Sequence, residues 1–545
     1  MPRDGLPDSR FRNLIPTSGG CVCSYCPIAS GIGQRVLMLE GNAVDAAVAT
    51  AISLAITYPQ AGNLGGGGFM LIKAPGKPVE CLDYRETAPR NARLEHYRFS
   101  GSNRSESPSV SGGPAVAVPG TVAGLAAALK KYGSWSWDRV IGTTIELART
   151  GVWITNRQAN YYSLYEEDLR RFPSTAEVFL PGGELPLPGD LFAQLDLAKT
   201  LQSLADQGPD AFYRGEIGER IVATVRETGG VLDLEDLAAY QPIWREPFSR
   251  QVWGREVAVP PLPSGGGIVV MTALGLLESM DVASTAARSA DRWEAIGRCL
   301  RVAFAKRGQL AGDPAHMPPD VANACCEMAS ASFSSDSLDR LEDELGLRGA
   351  PLKVEGTMPA RNTTHFGVID KAGLAVSNTY SLNTLFGAKL IARGTGVLLN
   401  NTIDDFGVEP NTPNWYQLFE GPYNVLAPGQ RPLGCMTPTL VMKGDTVELN
   451  LGGSGGPRIP SSVVQVILGV LVDGLSMSQS MQAPRVHHQF LPAHLDVEDS
   501  VPLDAAEELQ RRGFEVLRYP RLGIGAGIHN DLAQKTFFAA LDPRF

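Results

Sequence analysis

Apolar residues fall at helical spacing from Gly41 to Ala55, GNAVDAAVATAISLA, and the density of alanine predicts a closely packed core helix. A glycine-rich turn follows. It runs straight into an apolar strand pattern, GNLGGGGFMLIK, and then CLDYRETAPR, which places Arg85 and Glu86 just beyond a strand end. PAVAVPGTVAGLAAALKKYG, from Pro114 to Gly133, predicts a second passage from strand to helix, with Pro119 and Gly120 at the junction. Helices and loops then dominate to about Ala331.

Between Ser332 and Asn362 the apolar pattern lapses. The stretch SFSSDSLDRLEDELGLRGAPLKVEGTMPARN is polar, charged and poor in aromatics, which predicts an exposed, mobile connector. Directly after it, HFGVIDKAGLAVSNTYSL alternates about a DKAG turn, the pattern of a hairpin within a sheet. Strand patterns at TPTLVMKG and TVELNLGG lead into a helix at PRIPSSVVQVILGVLVDG. The fold class is therefore α/β in the mixed, α+β sense, with no internal repeat.

A chain of 545 residues, 43% hydrophobic, is long enough to bury one large core or two ordinary ones. The net charge of −10, without any run of Lys and Arg, argues against nucleic acid as a partner. The first residues, MPRDGLPDSRFRNLIPTSGG, lack the apolar stretch of a secretory signal. Ala47 to Tyr58 and Ser462 to Val472 fall short of the roughly 20 apolar residues a membrane span needs. The expectation from the chain as written is cytoplasmic. Among eight cysteines, Cys21, Cys23 and Cys26 form C-x-C-x-x-C without a second ligand cluster, which favours reduced or buried thiols over a metal site. No cofactor is implied.

The chemistry centres on Thr363-Thr364-His365, which opens a strand immediately after the connector. A threonine hydroxyl is a weak nucleophile. If the peptide bond before it is cut, its own α-amine, with a pKa of about 7.7 to 8.0, is available as the base. By itself TTH is a weak signal and reads better as structural threonine in a strand. Its company is more specific. NTTHFGVID, SNTYSLNTLFGA, GVLLNNTIDDFG, RPLGCMTPT and LGGSGGPRI follow in order, and GNAVDAAVA, AGNLGGGGFM, DYRETAP, AVAVPGTVAG, LEDLAAYQPIWREP and AGDP precede them. With these motifs the chain resembles the γ-glutamyltranspeptidase family from about Gly41 to its C-terminus.

That resemblance implies a four-layer αββα sandwich of the N-terminal nucleophile hydrolase type. It also implies a precursor whose residues 1–362 become a large subunit and 363–545 a small catalytic one. Thr363 is then the nucleophile and Ser381 the hydroxyl that orients it. Asn383 holds the amino-acid end of the donor, Arg85 pairs with its α-carboxylate and Asp405 takes its α-ammonium. Gly455 and Gly456 supply oxyanion amides. The donor is glutathione or a glutathione S-conjugate, and the acceptor is water, an amino acid or a dipeptide. The family is commonly secreted or membrane-anchored. Four positions depart from its pattern. Thr402 replaces a Glu or Gln that contacts the donor's amino group, Gly434 and Cys435 replace a serine pair that bonds its carboxylate, and Gly367 replaces a serine after the TTH. Three of the four lie in the donor pocket, so an amide acylase with a non-glutamyl donor is an alternative.

Two rivals come from other classes. Gly452-Gly453-Ser454-Gly455-Gly456 fits G-x-S-x-G between a strand and a helix, the form of a serine hydrolase elbow with His487, His488 or His529 as its partner. An uncleaved scaffold is the non-enzyme reading. His487 and His488 read as structural. Gly65 to Gly68 lack the order of a dinucleotide-binding turn and read as close backbone packing.

Overall fold

The computed structural model describes residues 16–101, 103–347, 363–408 and 413–545. Two large antiparallel sheets form its centre. In chain order their strands are β1 Pro16–Thr17, β2 Gly20–Ser24, β3 Gly67–Lys73, β4 Val79–Asp83, β5 Ile243–Arg245, β6 Phe248–Val252, β7 Arg255–Val259, β8 Thr364–Asp370, β9 Ala375–Ser381, β10 Thr439–Lys443, β11 Thr446–Ser454, β12 Ile524–Asp531 and β13 Thr536–Leu541. The six-stranded sheet runs β2-β8-β9-β3-β4-β5 and the seven-stranded sheet β1-β13-β12-β11-β10-β7-β6. Each sheet mixes strands from before and after residue 363, so neither part of the chain builds a sheet alone.

Strand alternation explains the stacking. On β3, Met70 and Ile72 point to the outer helices while Phe69 and Leu71 point to the partner sheet. On β10, Val441 points outward and Leu440 and Met442 inward. Helices α1 Pro27–Met38, α2 Ala43–Thr57 and α3 Thr121–Tyr132 cover the six-stranded sheet; α4 Gly265–Ser279 and α7 Arg458–Leu471 cover the other, with α5 Ala290–Leu310 packed on α4. The result is the four-layer αββα sandwich expected from the sequence.

The alanine-rich α2 is buried along its whole length, as its composition predicts. Asn42 caps it in a capping box with Asp45. The turn between β8 and β9 adds a second cap: Asp370 accepts from Ala43 N at 3.0 Å while its other oxygen accepts from Ala372 N and Leu374 N. The glycine-rich turn is close backbone packing. A Cβ on Gly66 would lie 2.1 Å from the Ser381 carbonyl, and one on Gly68 2.4 Å from that of Thr379.

Two expectations are corrected. PAVAVP forms no strand; Gly113–Ala115 is a 3-10 turn, and only an isolated bridge joins Val118 to Thr87. Pro114 and Pro119 carry no N–H and so cannot support a ladder. The first part of the expected connector is largely exposed, but it forms a helix that anchors a few side chains in the core. Helix α6, Ser337–Glu344, buries Leu338, and Arg298 and Arg301 both donate to the buried Glu342. Residues 348–362, with the junction at Asn362, lie outside the described residues. Among the described residues no helix is long and apolar enough to cross a membrane.

Because Asp370 ties the β8–β9 turn to the first turn of α2, Asp370→Ala is expected to destabilise the fold by about 1–2 kcal/mol, the usual scale for a lost cap. Chemical denaturation at neutral pH checks this as a lowered midpoint.

Candidate active site

Thr363 stands one residue before β8. The pairing of Thr364 with Tyr380 brings it level with Ser381 at the end of β9, and their hydroxyl oxygens lie 3.1 Å apart. Both side chains are buried and line one pocket with Asn383, Arg85, Asp405, Gly434, Cys435 and Gly456. Thr363 has φ = 120°, a conformation that is a genuine outlier for a β-branched residue.

The chain leaves β9 through a tight turn. Asn383, at φ = 78°, donates its backbone N–H to Ser381 Oγ at 2.9 Å and its side-chain amide to the Asn401 carbonyl at 3.1 Å. Its own carbonyl accepts from the Tyr416 hydroxyl at 2.6 Å. Lys389 ties this turn from within, donating to Thr384 Oγ1 and the Gly387 carbonyl, both at 2.8 Å. Burial pushes the Lys389 ammonium down to about 8.

Arg85 follows β4 and is almost fully committed. Nη1 donates to Glu86 at 2.9 Å, Nη2 to Asp405 and to the Leu433 carbonyl, and Nε to the Pro432 carbonyl at 3.3 Å. Burial disfavours its charge, but Glu86 and Asp405 outweigh that and hold its pKa above the ordinary value. Asp405 moves the other way. Burial pushes it up to about 7 against the opposing pull of Arg85, and Asp404 and Glu420 add like charge.

Thr402 does not reach the pocket wall. Its hydroxyl donates within a buried set, 2.9 Å from Glu86 Oε1 and 2.7 Å from Asn400 Oδ1, so it braces the carboxylate that braces Arg85. Gly434 and Cys435 line the pocket wall. Burial pushes the Cys435 thiol up to about 12, so it is protonated at neutral pH. Gly367 has a steric reason: a Cβ there would sit 2.8 Å from Asn450 Oδ1 in the neighbouring sheet. Gly455 and Gly456 lie between the end of β11 and α7, at φ = 131° and 58°. Their amides thus stand at a helix entrance.

The serine-elbow alternative finds no partner. Ser454 ends β11 in register with Ile524, whereas His529 pairs with Leu449 five residues away, about 17 Å along the strand. His487 Nδ1 is 2.7 Å from Ser461 Oγ and its Nε2 3.0 Å from Gln489 Oε1. His488 Nδ1 accepts from Phe490 N, and burial holds its pKa well below the ordinary value. Both histidines are structural. Cys21 and Cys23 are buried in the layer between the sheets, with thiol pKa values raised by desolvation.

The pocket also contains residues that sequence reading missed. Arg307, on α5, pairs with the buried Glu420 at 2.9 Å, and Tyr416 and Asn414 form part of the wall. No motif marked Arg307; it sits in the helical stretch RVAFAKRGQL, where only its contacts disclose a role.

Two antiparallel sheets stacked between helix layers, with a buried threonine at the head of a central strand, place the chain among the N-terminal nucleophile hydrolases. A family model described as gamma-glutamyltranspeptidase matches residues 29–545, and the chain belongs to the γ-glutamyltranspeptidase family. It is 37% identical over 530 residues to the glutathione hydrolase proenzyme of Escherichia coli, across 96% of this chain and 90% of that protein. Among solved structures, the cephalosporin acylase from Bacillus halodurans is similar with a TM-score of 0.84 and 25% identity, covering 99% of this chain and 97% of that one. A gamma-glutamyltranspeptidase chain from Pseudomonas nitroreducens is similar with a TM-score of 0.53 and 32% identity, covering 62% of this chain and 97% of that one.

The thiol environments predict an order of alkylation. At pH 8 iodoacetamide is expected to modify the exposed Cys326 first, while Cys21, Cys23 and Cys435 resist; peptide mass spectrometry over time checks it.

Proposed function

We propose that the protein is a γ-glutamyl hydrolase and transferase that acts on glutathione or its S-conjugates, after cutting itself between Asn362 and Thr363. The observation that carries the reading is the 3.1 Å approach of the Thr363 and Ser381 hydroxyls in a pocket that also holds a buried guanidinium paired with a partly buried carboxylate.

In maturation the Thr363 hydroxyl attacks the Asn362 carbonyl, the acyl group shifts from nitrogen to oxygen, and water hydrolyses the ester. The φ of 120° at Thr363 supports this step. A residue in such a region stores on the order of 1–3 kcal/mol, and the strain ends when no preceding peptide remains to define the angle.

In turnover the α-amine of Thr363 takes the hydroxyl proton as Oγ attacks the γ-carbonyl. The amides of Gly455 and Gly456 receive the developing oxyanion. The C–N bond then breaks, and the departing amine, cysteinylglycine or its conjugate, takes the proton back. Water or an amino acid attacks the acyl-threonine ester to regenerate the enzyme. Ser381 orients the nucleophile and Asn383 holds the amino-acid end of the donor. When the donor's ammonium arrives, Asp405 turns to it and releases an Arg85 N–H for the carboxylate. Reading both charges selects a free amino-acid terminus over an internal residue.

Thr363→Ala is expected to give one full-length band on a denaturing gel and no glutamate release, whereas Ser454→Ala processes and turns over normally. Loss of activity only in the serine variant overturns the reading. Ser381→Ala is expected to lower kcat about 10- to 100-fold, the scale of one strong hydrogen bond, with Ser381→Thr retaining most of it.

The Asp405 carboxyl is neutral below its raised pKa and anionic above it. KM for the donor is therefore expected to fall as pH rises through about 7, and Asp405→Asn to remove that dependence while raising KM throughout. Initial rates between pH 5.5 and 8.5 measure both.

A further inference from the structure

The pocket contains a second guanidinium whose hydrogen-bonding capacity is not used up. All three nitrogens of Arg85 donate to protein acceptors. Arg307 lines the same pocket and is 2% exposed, yet among the described residues its side chain makes one hydrogen bond, from Nη2 to Glu420 Oε1 at 2.9 Å, and its buried Nε meets no acceptor. Glu420 is held independently, accepting from Asn424 Nδ2 at 2.9 Å.

The wall beside the two arginines is unusually bare. A Cβ on Gly434 would come within 3.3 to 3.4 Å of the Arg85 guanidinium, and Cys435, next in the chain, feels the charge of both Arg307 and Arg85. Neither position offers a hydroxyl to an incoming anion. Arg85 and Arg307 face three carboxylates, the buried side chains of Glu86 and Glu420 and the partly buried one of Asp405. Without Arg307 one cation would stand against three anions, and a further carboxylate entering this low-dielectric space would be repelled.

We propose that Arg307 is a second receptor for the donor's α-carboxylate and a specificity-determining residue of this pocket. It supplies the N–H donors that positions 434 and 435 lack, while Asp405 turns to the ammonium and frees one N–H of Arg85. The carboxylate then lies between two guanidinium groups. This inference rests on the γ-glutamyl reading given above.

The test compares two chromogenic donors, γ-L-glutamyl-p-nitroanilide and 4-aminobutanoyl-p-nitroanilide, which keeps the ammonium but lacks the α-carboxylate. In Arg307→Gln, KM for the glutamyl donor is expected to rise about 10- to 100-fold with kcat changed by less than about threefold. The analogue's kcat/KM stays within about threefold of wild type, so discrimination between the donors collapses. Arg307→Lys, which keeps the charge without the planar fork, is expected to fall between. Arg307→Gln/Glu420→Gln removes both members of the pair, and it serves as the measurement if the single variant does not fold or process. Equal losses on both donors, or an unchanged ratio in a processed variant, overturn the proposal and leave the γ-glutamyl reading standing. A wild-type protein that is cut at Thr363 but hydrolyses neither donor overturns that reading itself.

Discussion

The site depends on the register of one strand pair. Thr364 opposite Tyr380 sets Thr363 level with Ser381, and a slip of one residue would turn every side chain of β8 to the opposite face. The core enforces that register from both sides. Phe366 and Val368 pack among the helices, His365 sits beneath Gly452 of the other sheet, and Gly367 lies against Asn450 with no room for a Cβ. His365 is buried, and desolvation pushes its pKa down to about 3, so the strand carries no charge into the layer between the sheets. The strand that follows Thr363 is thus held by close packing on both of its faces.

Around this rigid pair the pocket is electrostatic. Arg85, Arg307, Glu86, Asp405 and Glu420 are charged side chains in or against one small space, and they come from distant parts of the chain. Burying one such charge alone would be prohibitive. The cost is offset because each guanidinium has a carboxylate partner and because Thr402, Asn414 and Asn424 bond the carboxylates in turn. Asp405 is the soft member of the set. Desolvation raises its pKa to about 7, so its charge changes near neutral pH.

The helices and strands with strong periodicity were legible from sequence, namely α2, the β8–β9 hairpin, β10, β11 and α7. The misses had definite causes. PAVAVP alternates like a strand but carries prolines that cannot pair, and SLDRLEDE looked exposed because its polarity conceals Glu342, which is buried only because two arginines of α5 meet it. Thr402, whose short side chain was expected to fall short of the Glu or Gln of the family pattern, bonds Glu86 instead.

The sequence by itself determined the strongly periodic strands and helices and the threonine at the head of its strand, and through the family resemblance it implied the four layers. Alternation, helical spacing and long motifs are local and survive without coordinates. Only the tertiary structure decided that Thr363 and Ser381 touch, that Asp405 pairs with Arg85, and that Arg307 enters the same pocket from α5. Those facts depend on contacts between residues far apart in the chain. Burial, which turns a surface ion into a poised or paired one, is a property of the packed fold and not of any stretch of sequence.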